Sequence, residues 1–380
     1  MTRHDAPRFR FMRPFPATAA TLLIGVMALG VAASPSGQPT SNVPFKVGVT
    51  WRNFVPKGAY NWRGAKTRSL VTQVWYPAVA TTETSPQWLG PAESPWFRLG
   101  MWAEGASPAE GRYPLVVLSH GTGGSSTMMG WLAQALAERG YAVAAVNHPG
   151  NNALEPYTAE GFLLWWERAH DVSTLIDHLM ADDELSVRID SRRVGAGGFS
   201  LGGYTVLALA GARTDPQAFR AFCRSRAVGI CQDPAEFPGL FARWSELEKT
   251  DAAFQRASRR AGAAYRDTRV RAAFALAPAL GPALTSESLR RVSIPVAVVA
   301  GELDSVADLD SNAKRVSALL RQVKLTLLPG AGHYTFLASC TDRGREARPE
   351  LCADAAHVDR DAVHRRAEAL AIEFFDRTLK

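Results

Sequence analysis

Residues 194–204 read Val194-Gly-Ala-Gly-Gly-Phe-Ser-Leu-Gly-Gly-Tyr204, and this stretch decides the fold. At its centre, Gly198-Phe-Ser-Leu-Gly202 places a glycine two positions before and two positions after a serine. This spacing is typical of a tight turn that lifts a serine off the end of a strand and begins a helix at once, because a Cβ atom at either glycine would clash. An apolar run precedes Ser200 and a helical pattern follows it, so we predict that Ser200 is a nucleophile.

A glycine-rich turn that binds an anion is the alternative interpretation of the same stretch. The dinucleotide-binding pattern of three glycines fails, because Ser200 stands where the third glycine after Gly195 and Gly197 is required. The chain also contains no phosphate-binding loop of the Gly-x-x-x-x-Gly-Lys-Ser/Thr type. The nucleophile interpretation is therefore preferred.

Short apolar runs alternate with segments of helical spacing along most of the chain. The runs predict strands over residues 71–77, 115–118, 142–146, 193–199, 270–277, 296–300 and 325–328. The helical spacing predicts helices over residues 128–139, around 175–179, and over 201–210, 308–320 and 359–378. This alternation is typical of an α/β fold with a mostly parallel sheet that helices cover on both faces.

Two stretches interrupt the alternation. Residues 78–112 are rich in Pro, Gly, Ser and Trp and predict a long surface excursion. Residues 214–268 carry charged helical segments and several prolines but no convincing strand, which predicts a helical cap insertion. We therefore predict one α/β domain over residues 65–380 with this insertion, preceded by an N-terminal extension over residues 34–64.

A serine hydroxyl needs a base, and the base needs a partner that orients it. With this kind of serine turn the chain order is nucleophile, acid, histidine. His333 follows the predicted strand 325–328 on a glycine-rich loop, so it is the predicted base. The other histidines after Ser200, His357 and His364, lie at or in the final helix and are predicted to be surface residues.

The acid is expected after the preceding strand. The run Val296-Ala-Val-Val-Ala-Gly-Glu-Leu-Asp304 is a buried strand that ends near a carboxylate, and Asp304 is the predicted partner of His333. In the alternative, Asp304 caps a helix, and Glu302 or Asp308 takes the catalytic role.

The charge that develops on a tetrahedral intermediate needs backbone N–H donors. We predict one donor from Leu201, which follows the nucleophile, and one from Thr122 in the loop His120-Gly-Thr-Gly-Gly124. His120 precedes both nucleophile and acid in the chain, so we predict that it holds this loop and takes no direct part in catalysis.

The first 33 residues have the composition of a secretory signal peptide. Four arginines give a basic start, residues 17–33 carry no charge, and Val31-Ala-Ala33 supplies the small residues of a cleavage site. This predicts a cleaved signal, a periplasmic or extracellular protein, and no stable membrane insertion after cleavage. An uncleaved anchor is the alternative, because the apolar run nearly has the length that spans a bilayer.

Composition and charge limit the classes of partner that the protein is expected to bind. The 380 residues are 47% hydrophobic and 21% charged, which is an ordinary globular composition. The formal net charge is +7, and it falls to +4 when the four arginines and Asp5 of residues 1–33 are removed. The remaining basic residues are scattered, so no nucleic-acid partner is expected. The predicted partner is a small-molecule or lipid-like ester substrate.

The four cysteines are Cys223, Cys231, Cys340 and Cys352, and all lie in the exported part, where disulfides persist. Four cysteines allow three pairings. We favour the local pairs Cys223–Cys231 and Cys340–Cys352, because they brace two segments that otherwise look irregular. A zinc site is the alternative, but no Cys-x-x-Cys or Cys/His cluster of ligand spacing exists, and we predict neither metal nor other cofactor.

Three motifs resemble a known family; they are Leu115-Val-Val-Leu-Ser-His-Gly121, Gly140-Tyr-Ala-Val-Ala-Ala-Val-Asn-His148 and Gly198-Phe-Ser-Leu-Gly-Gly-Tyr204. They resemble the bacterial predicted dienelactone hydrolases of the α/β-hydrolase superfamily, a group related to the platelet-activating-factor acetylhydrolases. The resemblance covers roughly residues 65–378. It implies the α/β-hydrolase fold, Ser200 as nucleophile, His333 as base, and Thr122 and Leu201 as oxyanion donors.

This chain departs from the family at two points. Dienelactone hydrolases proper use a cysteine nucleophile, whereas the matching position here is Ser200. In the acetylhydrolases the acid follows an earlier strand, where this chain has Phe274-Ala-Leu-Ala-Pro278 and no carboxylate. The resemblance therefore leaves the substrate open, and Asp304 stays the predicted acid.

Together these residues predict a secreted carboxylester hydrolase that forms an acyl-serine intermediate and prefers short or medium acyl chains. Two alternatives stay open, a serine peptidase of the same fold and a catalytically inactive lipid-binding protein. Aromatic residues at 162–166 and in the insertion either line an acyl pocket or form the core of the cap itself.

Overall fold

A computed structural model describes residues 43–226 and 228–380 of the chain. The predicted signal peptide, residues 1–33, lies outside the described residues. No helix in the part of the chain that the structure describes has both the length and the apolar character to cross a bilayer.

The described residues form one large sheet. Its strands are β1 (Lys46–Phe54), β2 (Leu70–Ala78), β3 (Ser85–Leu89), β4 (Phe97–Glu104), β5 (Tyr113–Ser119), β6 (Ala142–Val146), β7 (Ile189–Phe199), β8 (Val270–Leu276), β9 (Val296–Gly301), β10 (Val323–Leu328) and β11 (Ser339–Cys340). Their order is β10-β9-β8-β7-β5-β6-β2-β1-β4-β11, and β3 pairs with β4. The strands from β10 across to β6 run parallel, whereas β2 is antiparallel to both β6 and β1. The predicted mostly parallel sheet is confirmed.

Helices follow each of the strands from β5 to β9, and three more follow β11. They are α1 (Gly130–Glu138), α2 (Ala159–Leu163), α3 (Glu167–Ala181), α4 (Leu201–Ala210), α5 (Pro216–Arg224), α6 (Leu240–Thr250), α7 (Ala252–Ser258), α8 (Ser286–Arg291), α9 (Ala313–Leu319), α10 (Asp342–Ala347), α11 (Pro349–Cys352) and α12 (Arg360–Leu379). The helices α5, α6 and α7 follow α4 directly and precede β8, so the predicted helical insertion is confirmed.

The sheet buries an apolar core on each face, because successive side chains of a strand point to opposite sides. In β5, Leu115 and Val117 join one core together with residues of α3 and α4. Val116 and Leu118 join the other core together with residues of α1 and α12. A strand that is buried on both faces carries a continuous apolar run, which explains why β5 and β6 are so clear in the sequence.

The sheet begins earlier in the chain than the predicted domain start at residue 65. Residues 46–54, assigned to the N-terminal extension, form β1 and pair along their whole length with β2. Val47 and Val49 are buried, but Trp51 is exposed, so the strand shows only half of an alternating pattern. That incomplete pattern hid the strand in the sequence.

The predicted surface excursion over residues 78–112 is wrong in part, since it contains β3 and β4. Phe97, Leu99 and Trp102 of β4 are buried in the core that includes α1. Gly130, the first residue of α1, lies so close to Trp102 that an added Cβ would come within 2.8 Å of its ring. Packing against a distant helix, which a local pattern does not show, therefore orders this stretch.

Both disulfides join the local pairs that the sequence favoured. Cys223 and Cys231 connect α5 to a short 3-10 helix, Gly229–Cys231, inside the insertion. Cys340 and Cys352 connect β11 to the end of α11. Each disulfide therefore braces a segment that lacks an extended strand or long helix of its own.

Candidate active site

Ser200 occupies the sharp bend between β7 and α4. Its backbone has φ 56° and ψ −116°, in a region that residues with a side chain rarely adopt. The N–H of Ser200 donates to the carbonyl of Leu276 in the neighbouring strand β8, at 2.9 Å. The bend thus holds the serine at the carboxyl end of the parallel sheet.

The glycines around the serine are required by close contacts. A Cβ atom on Gly198 would lie 2.2 Å from the carbonyl oxygen of Gly202, and one on Gly202 would lie 1.8 Å from the carbonyl oxygen of Ser119. Both distances are far below a van der Waals contact, and both involve backbone atoms that cannot move aside. The spacing of glycines in the sequence therefore has a direct steric cause.

The structure brings Ser200, His333 and Asp304 together in one hydrogen-bonded series. Ser200 Oγ lies 2.9 Å from His333 Nε2, and His333 Nδ1 lies 2.7 Å from Asp304 Oδ2. Since the carboxylate accepts from Nδ1–H, Nε2 is free to accept the serine proton. The exposed fractions are 7% for Ser200, 5% for His333 and 6% for Asp304, so little water reaches the series.

Asp304 is held by its own backbone surroundings. Its Oδ1 accepts from the N–H groups of Val306 at 3.0 Å and Ala307 at 2.8 Å, which leaves Oδ2 for the histidine. It therefore caps a turn and orients His333 at the same time. The alternative acids have other partners: Glu302 accepts from the N–H of Gly330, and Asp308 bonds Ser311.

The loop that carries His333 is fixed by a second set of contacts. Thr335 Oγ1 accepts from the N–H of Gly332 at 3.0 Å and donates to Asp354 at 2.6 Å. Asp354 in turn pairs with Arg360 of α12 at 2.8 Å. The position of the imidazole thus depends on an ion pair at the start of the last helix.

Thr122 and Leu201, the predicted oxyanion donors, lie on the two segments that border Ser200. A Cβ atom on Gly121 would lie 3.4 Å from Ser200 Cβ, so the loop that contains Thr122 borders the serine. Leu201 is the first residue of α4, and helix-starting N–H groups lack intrahelical acceptors. Among residues 43–226 and 228–380, neither N–H donates to a protein acceptor.

His120 holds the loop from the side away from solvent. Its Nε2 accepts from the N–H of His148 at 3.2 Å, so Nδ1 carries the proton and donates to the carbonyl of Gly121 at 2.7 Å. Arg168 Nη2 donates to the carbonyl of His120 at 2.8 Å. Burial, and next the charge of Arg168, hold the pKa of His120 well below its usual range, so the ring is neutral.

A second Ser-His-Asp series lies beneath the first. Ser119 Oγ is 2.9 Å from His148 Nε2, and His148 Nδ1 is 2.8 Å from Asp171 Oδ2. Asp171 also accepts from Arg63 at 2.6 Å and from the hydroxyl of Tyr60 at 2.5 Å. Burial, and next the nearby guanidinium groups, lower the pKa of His148 well below its usual range.

This second series differs from the first in access. Ser119 is 1% exposed, and both His148 and Asp171 are fully buried. It ties the ends of β5 and β6 to α3, and so it supports the loop that begins at His120. Sequence reasoning missed it; the available signal was a histidine directly after each of two adjacent buried strands.

One sequence prediction about the histidines is wrong. His364 was expected on the surface, but it is buried, stacks on Trp131 with ring centroids 4.2 Å apart, and bonds the carbonyl of Thr335. Burial lowers its pKa to about 4. The packing of α12 on α1 covers this position. His357 is exposed as predicted.

In the described residues, no group of three or more His, Cys, Asp or Glu side chains is arranged to hold a metal ion.

Comparisons with known proteins identify the family and the fold of this chain. The sequence profile of the Alpha/beta hydrolase family matches residues 116–355. The solved structure of a ferulic acid esterase from Streptomyces cinnamoneus has TM-score 0.55 and 20% identity over 90% of this chain and 92% of that chain, which shows a shared fold. No curated protein matches this chain in sequence. The matched region contains the serine bend, the acid and the histidine loop, and the chain belongs to the Alpha/beta hydrolase family.

Proposed function

We propose that this protein is a serine-dependent carboxylester hydrolase that works through an acyl-serine intermediate. One observation carries the proposal: Ser200 Oγ is within hydrogen-bond distance of His333 Nε2, at 2.9 Å, on a bend that gives the hydroxyl no other task. The family to which the chain belongs supports the hydrolytic reaction. The structural neighbour, which is called a ferulic acid esterase, supports an ester as substrate.

In the acylation step, Ser200 Oγ attacks the carbonyl carbon of the ester while its proton passes to His333 Nε2. The carbonyl oxygen becomes an oxyanion and accepts from the N–H groups of Thr122 and Leu201. The tetrahedral intermediate collapses, the C–O bond to the alcohol breaks, and the alcohol leaves with the proton from His333. The acyl group stays on Ser200.

In the deacylation step, a water molecule takes the place of the alcohol. His333 removes a proton from the water as it attacks the acyl carbon, and the same two N–H groups receive the second oxyanion. Collapse returns the proton to Ser200 Oγ and releases the acid. Asp304 keeps the histidine in the required tautomer and stabilises the imidazolium during both steps.

We place the substrate among esters of short or medium acyl chains, a class that includes lipid-like esters. The buried aromatic residues of the insertion and the preceding segment pack on each other, with Trp165 5.0 Å from Phe219 and 5.5 Å from Trp244 between ring centroids. They therefore serve as the core of the insertion.

We also place the protein outside the cytoplasm. Two disulfides, Cys223–Cys231 and Cys340–Cys352, fit an oxidising compartment. The signal-like composition of residues 1–33 supports export. Mass measurement of the mature protein from a secreting host tests this placement, because cleavage after residue 33 removes a defined mass.

The test of the reaction is a panel of p-nitrophenyl esters of increasing acyl length combined with a small organophosphonate. Hydrolysis should be fastest at short or medium length, and one phosphonyl group should attach to Ser200. Ser200→Ala should abolish both activity and labelling. Ser119→Ala is the matched control, because the second serine has the same kind of partners but is buried; its protein should still carry the label on Ser200. Turnover that survives in Ser200→Ala would overturn the proposal.

A further inference from the structure

The insertion rests on both sides of the catalytic serine. We call residues 229–236 the strap. At its start, a Cβ atom on Gly229 would lie 2.7 Å from the carbonyl oxygen of Val306, next to the turn that Asp304 caps. At its end, a Cβ atom on Gly123 would lie 2.8 Å from Cγ of Glu236. The strap thus reaches from the acid loop to the oxyanion loop.

Glu236 is the charged residue at the oxyanion end of the strap. Its side chain is partly buried, and it lies against the loop that contains Thr122. In the described chain, no Lys or Arg pairs with it, and no other residue donates a hydrogen bond to its carboxylate. The hydroxyl of Tyr157, which also lies beside Gly123, donates to the carbonyl of Gly123 at 2.8 Å.

The charge of Glu236 acts on two tyrosines near the reacting centre. Glu236 raises the pKa of Tyr157 and of Tyr334, the residue after the catalytic histidine, in each case after the effect of burial. Burial raises the pKa of Glu236 itself, and a hydrogen bond from its own backbone acts in the opposite direction. Glu236 contacts the oxyanion loop at Gly123, and the same loop borders Ser200 at Gly121, so the side chain of Glu236 lies beside the place where a molecule would bind to Ser200.

A partly buried carboxylate with no cation beside it gains stability when a ligand supplies the missing charge. A single carboxylate beside two phenols does not make a metal site, since hard cations take several oxygen ligands. A protonated amine needs only one carboxylate and provides both the charge and the donors. The chemistry of the subsite thus fits an ammonium group.

We propose that Glu236 is a specificity-determining residue that binds a protonated amine of the ester substrate, beside the oxyanion loop. This inference rests on the proposed esterase function and adds the substrate class: esters that carry an ammonium group in the alcohol or the acyl part. The strap and its disulfide hold the carboxylate in place.

The test compares esters of matched shape that differ in charge. For the alcohol part the pair is 2-(dimethylamino)ethyl butanoate, which is protonated at pH 7, and 3-methylbutyl butanoate. For the acyl part the pair is ethyl 4-(dimethylamino)butanoate and ethyl 5-methylhexanoate. The full-length mature enzyme is assayed by acid release at constant pH. In one of the two ester pairs, kcat/KM should be about tenfold higher for the charged ester than for the neutral one. This is the size of effect expected from one partly buried ion pair.

Glu236→Gln keeps the shape and removes the charge. It should erase the preference while kcat/KM for the neutral ester changes less than about twofold. Glu246→Gln is the matched control in the same insertion, because Glu246 is exposed and pairs with Arg243 at 2.5 Å. Glu246→Gln should retain the preference for the charged ester. High salt should weaken this preference.

Each other outcome has a separate meaning. Equal rates for both members of both pairs in the wild type would overturn the inference and leave the esterase function standing. An equal loss for charged and neutral esters in Glu236→Gln would assign the residue to holding the strap and would also overturn it. No hydrolysis of any ester in the wild type would overturn the proposed function and the inference together.

Discussion

The peptide between Gly121 and Thr122 is held at its carbonyl end. His120 Nδ1 donates to this carbonyl, and the N–H of Gly124 also reaches it at 3.3 Å. Because the carbonyl and the N–H of a trans peptide point in opposite directions, fixing the Gly121 oxygen fixes the direction of the Thr122 N–H. Arg168 anchors the preceding carbonyl, and burial lowers the pKa of its guanidinium to about 9, so it remains charged at neutral pH.

His120→Ala should lower kcat by about tenfold to a hundredfold with little change in KM, because a misdirected oxyanion donor is felt in the transition state. His120→Asn should restore part of the loss, since an amide N–H can replace Nδ1–H. Steady-state kinetics on one p-nitrophenyl ester measures both variants, with near-UV circular dichroism as the folding control. A rise in KM at unchanged kcat would contradict this positioning role.

Asp304→Asn should lower kcat by about 10⁴, the order known for triads in which the acid becomes an amide. The amide N–H₂ would face Nδ1 and favour the tautomer that cannot accept the serine proton. Glu302→Gln is the control, because Glu302 contacts Gly330 and has no hydrogen bond to His333 within the described residues. If Glu302→Gln lowered kcat as much as Asp304→Asn, the assignment of Asp304 as the acid would be wrong.

At the scale of elements, burial determined which strands and helices could be predicted from the sequence. The strand over 142–146 and the helix over 201–210 match β6 and α4 residue for residue, because every position in both is buried. Helix 308–320 was predicted too long, since Asp308 and Asn312 form a hydrogen-bonded turn before α9 begins. The series of Ser119, His148 and Asp171 could not be predicted, because its members come from three elements that only the fold brings together.

The contact between α1 and α12 should make stability depend on pH. Burial, and next the charge of Glu138, raise the pKa of Glu368 to about 7. A carboxyl whose pKa is raised in the folded state binds its proton more tightly there, so it destabilises the fold as pH rises from about 4.5 through about 7. Glu368→Gln should therefore be more stable than the wild type at pH 8, by roughly 1–2 kcal/mol, and about equal at pH 5.

Urea unfolding of both proteins at pH 5 and pH 8 measures this difference. Glu373→Gln serves as the control on the same helix, because Glu373 is exposed and pairs with Lys324. The same difference between Glu368→Gln and wild type at both pH values would contradict the assignment.

At the scale of the whole molecule, the parallel part of the sheet carries the proposed triad, and two local disulfides brace the segments around it. Ser200, Asp304 and His333 follow β7, β9 and β10, so the sheet edge fixes their spacing. The α/β class and the order of the proposed catalytic residues could be predicted because β9 is buried along its whole length and β7 is buried over residues 194–199. The outer strands β1, β3 and β4 could not, since their patterns mix buried and exposed positions.

The two disulfides should have different effects when removed. Replacing Cys340 and Cys352 by alanine should lower the free energy of unfolding by about 2–3 kcal/mol, as for short closed loops. Replacing Cys223 and Cys231 should act mainly on the insertion and raise KM, because the strap loses its link to α5. Thermal unfolding and ester kinetics on both double variants distinguish these outcomes. Equal effects on stability and KM in both double variants would contradict a separate role for the Cys223–Cys231 disulfide in the insertion.

The scant exposure of Ser200, 7% of the residue, has a consequence for how the protein behaves among other molecules. A nucleophile with so little exposed surface is protected from nonspecific acylation, so its reactivity toward covalent inhibitors should fall steeply with their size. Each turnover must admit an ester and later a water molecule to this shielded serine. Turnover should therefore slow in viscous solvent when the entry of the ester limits the cycle.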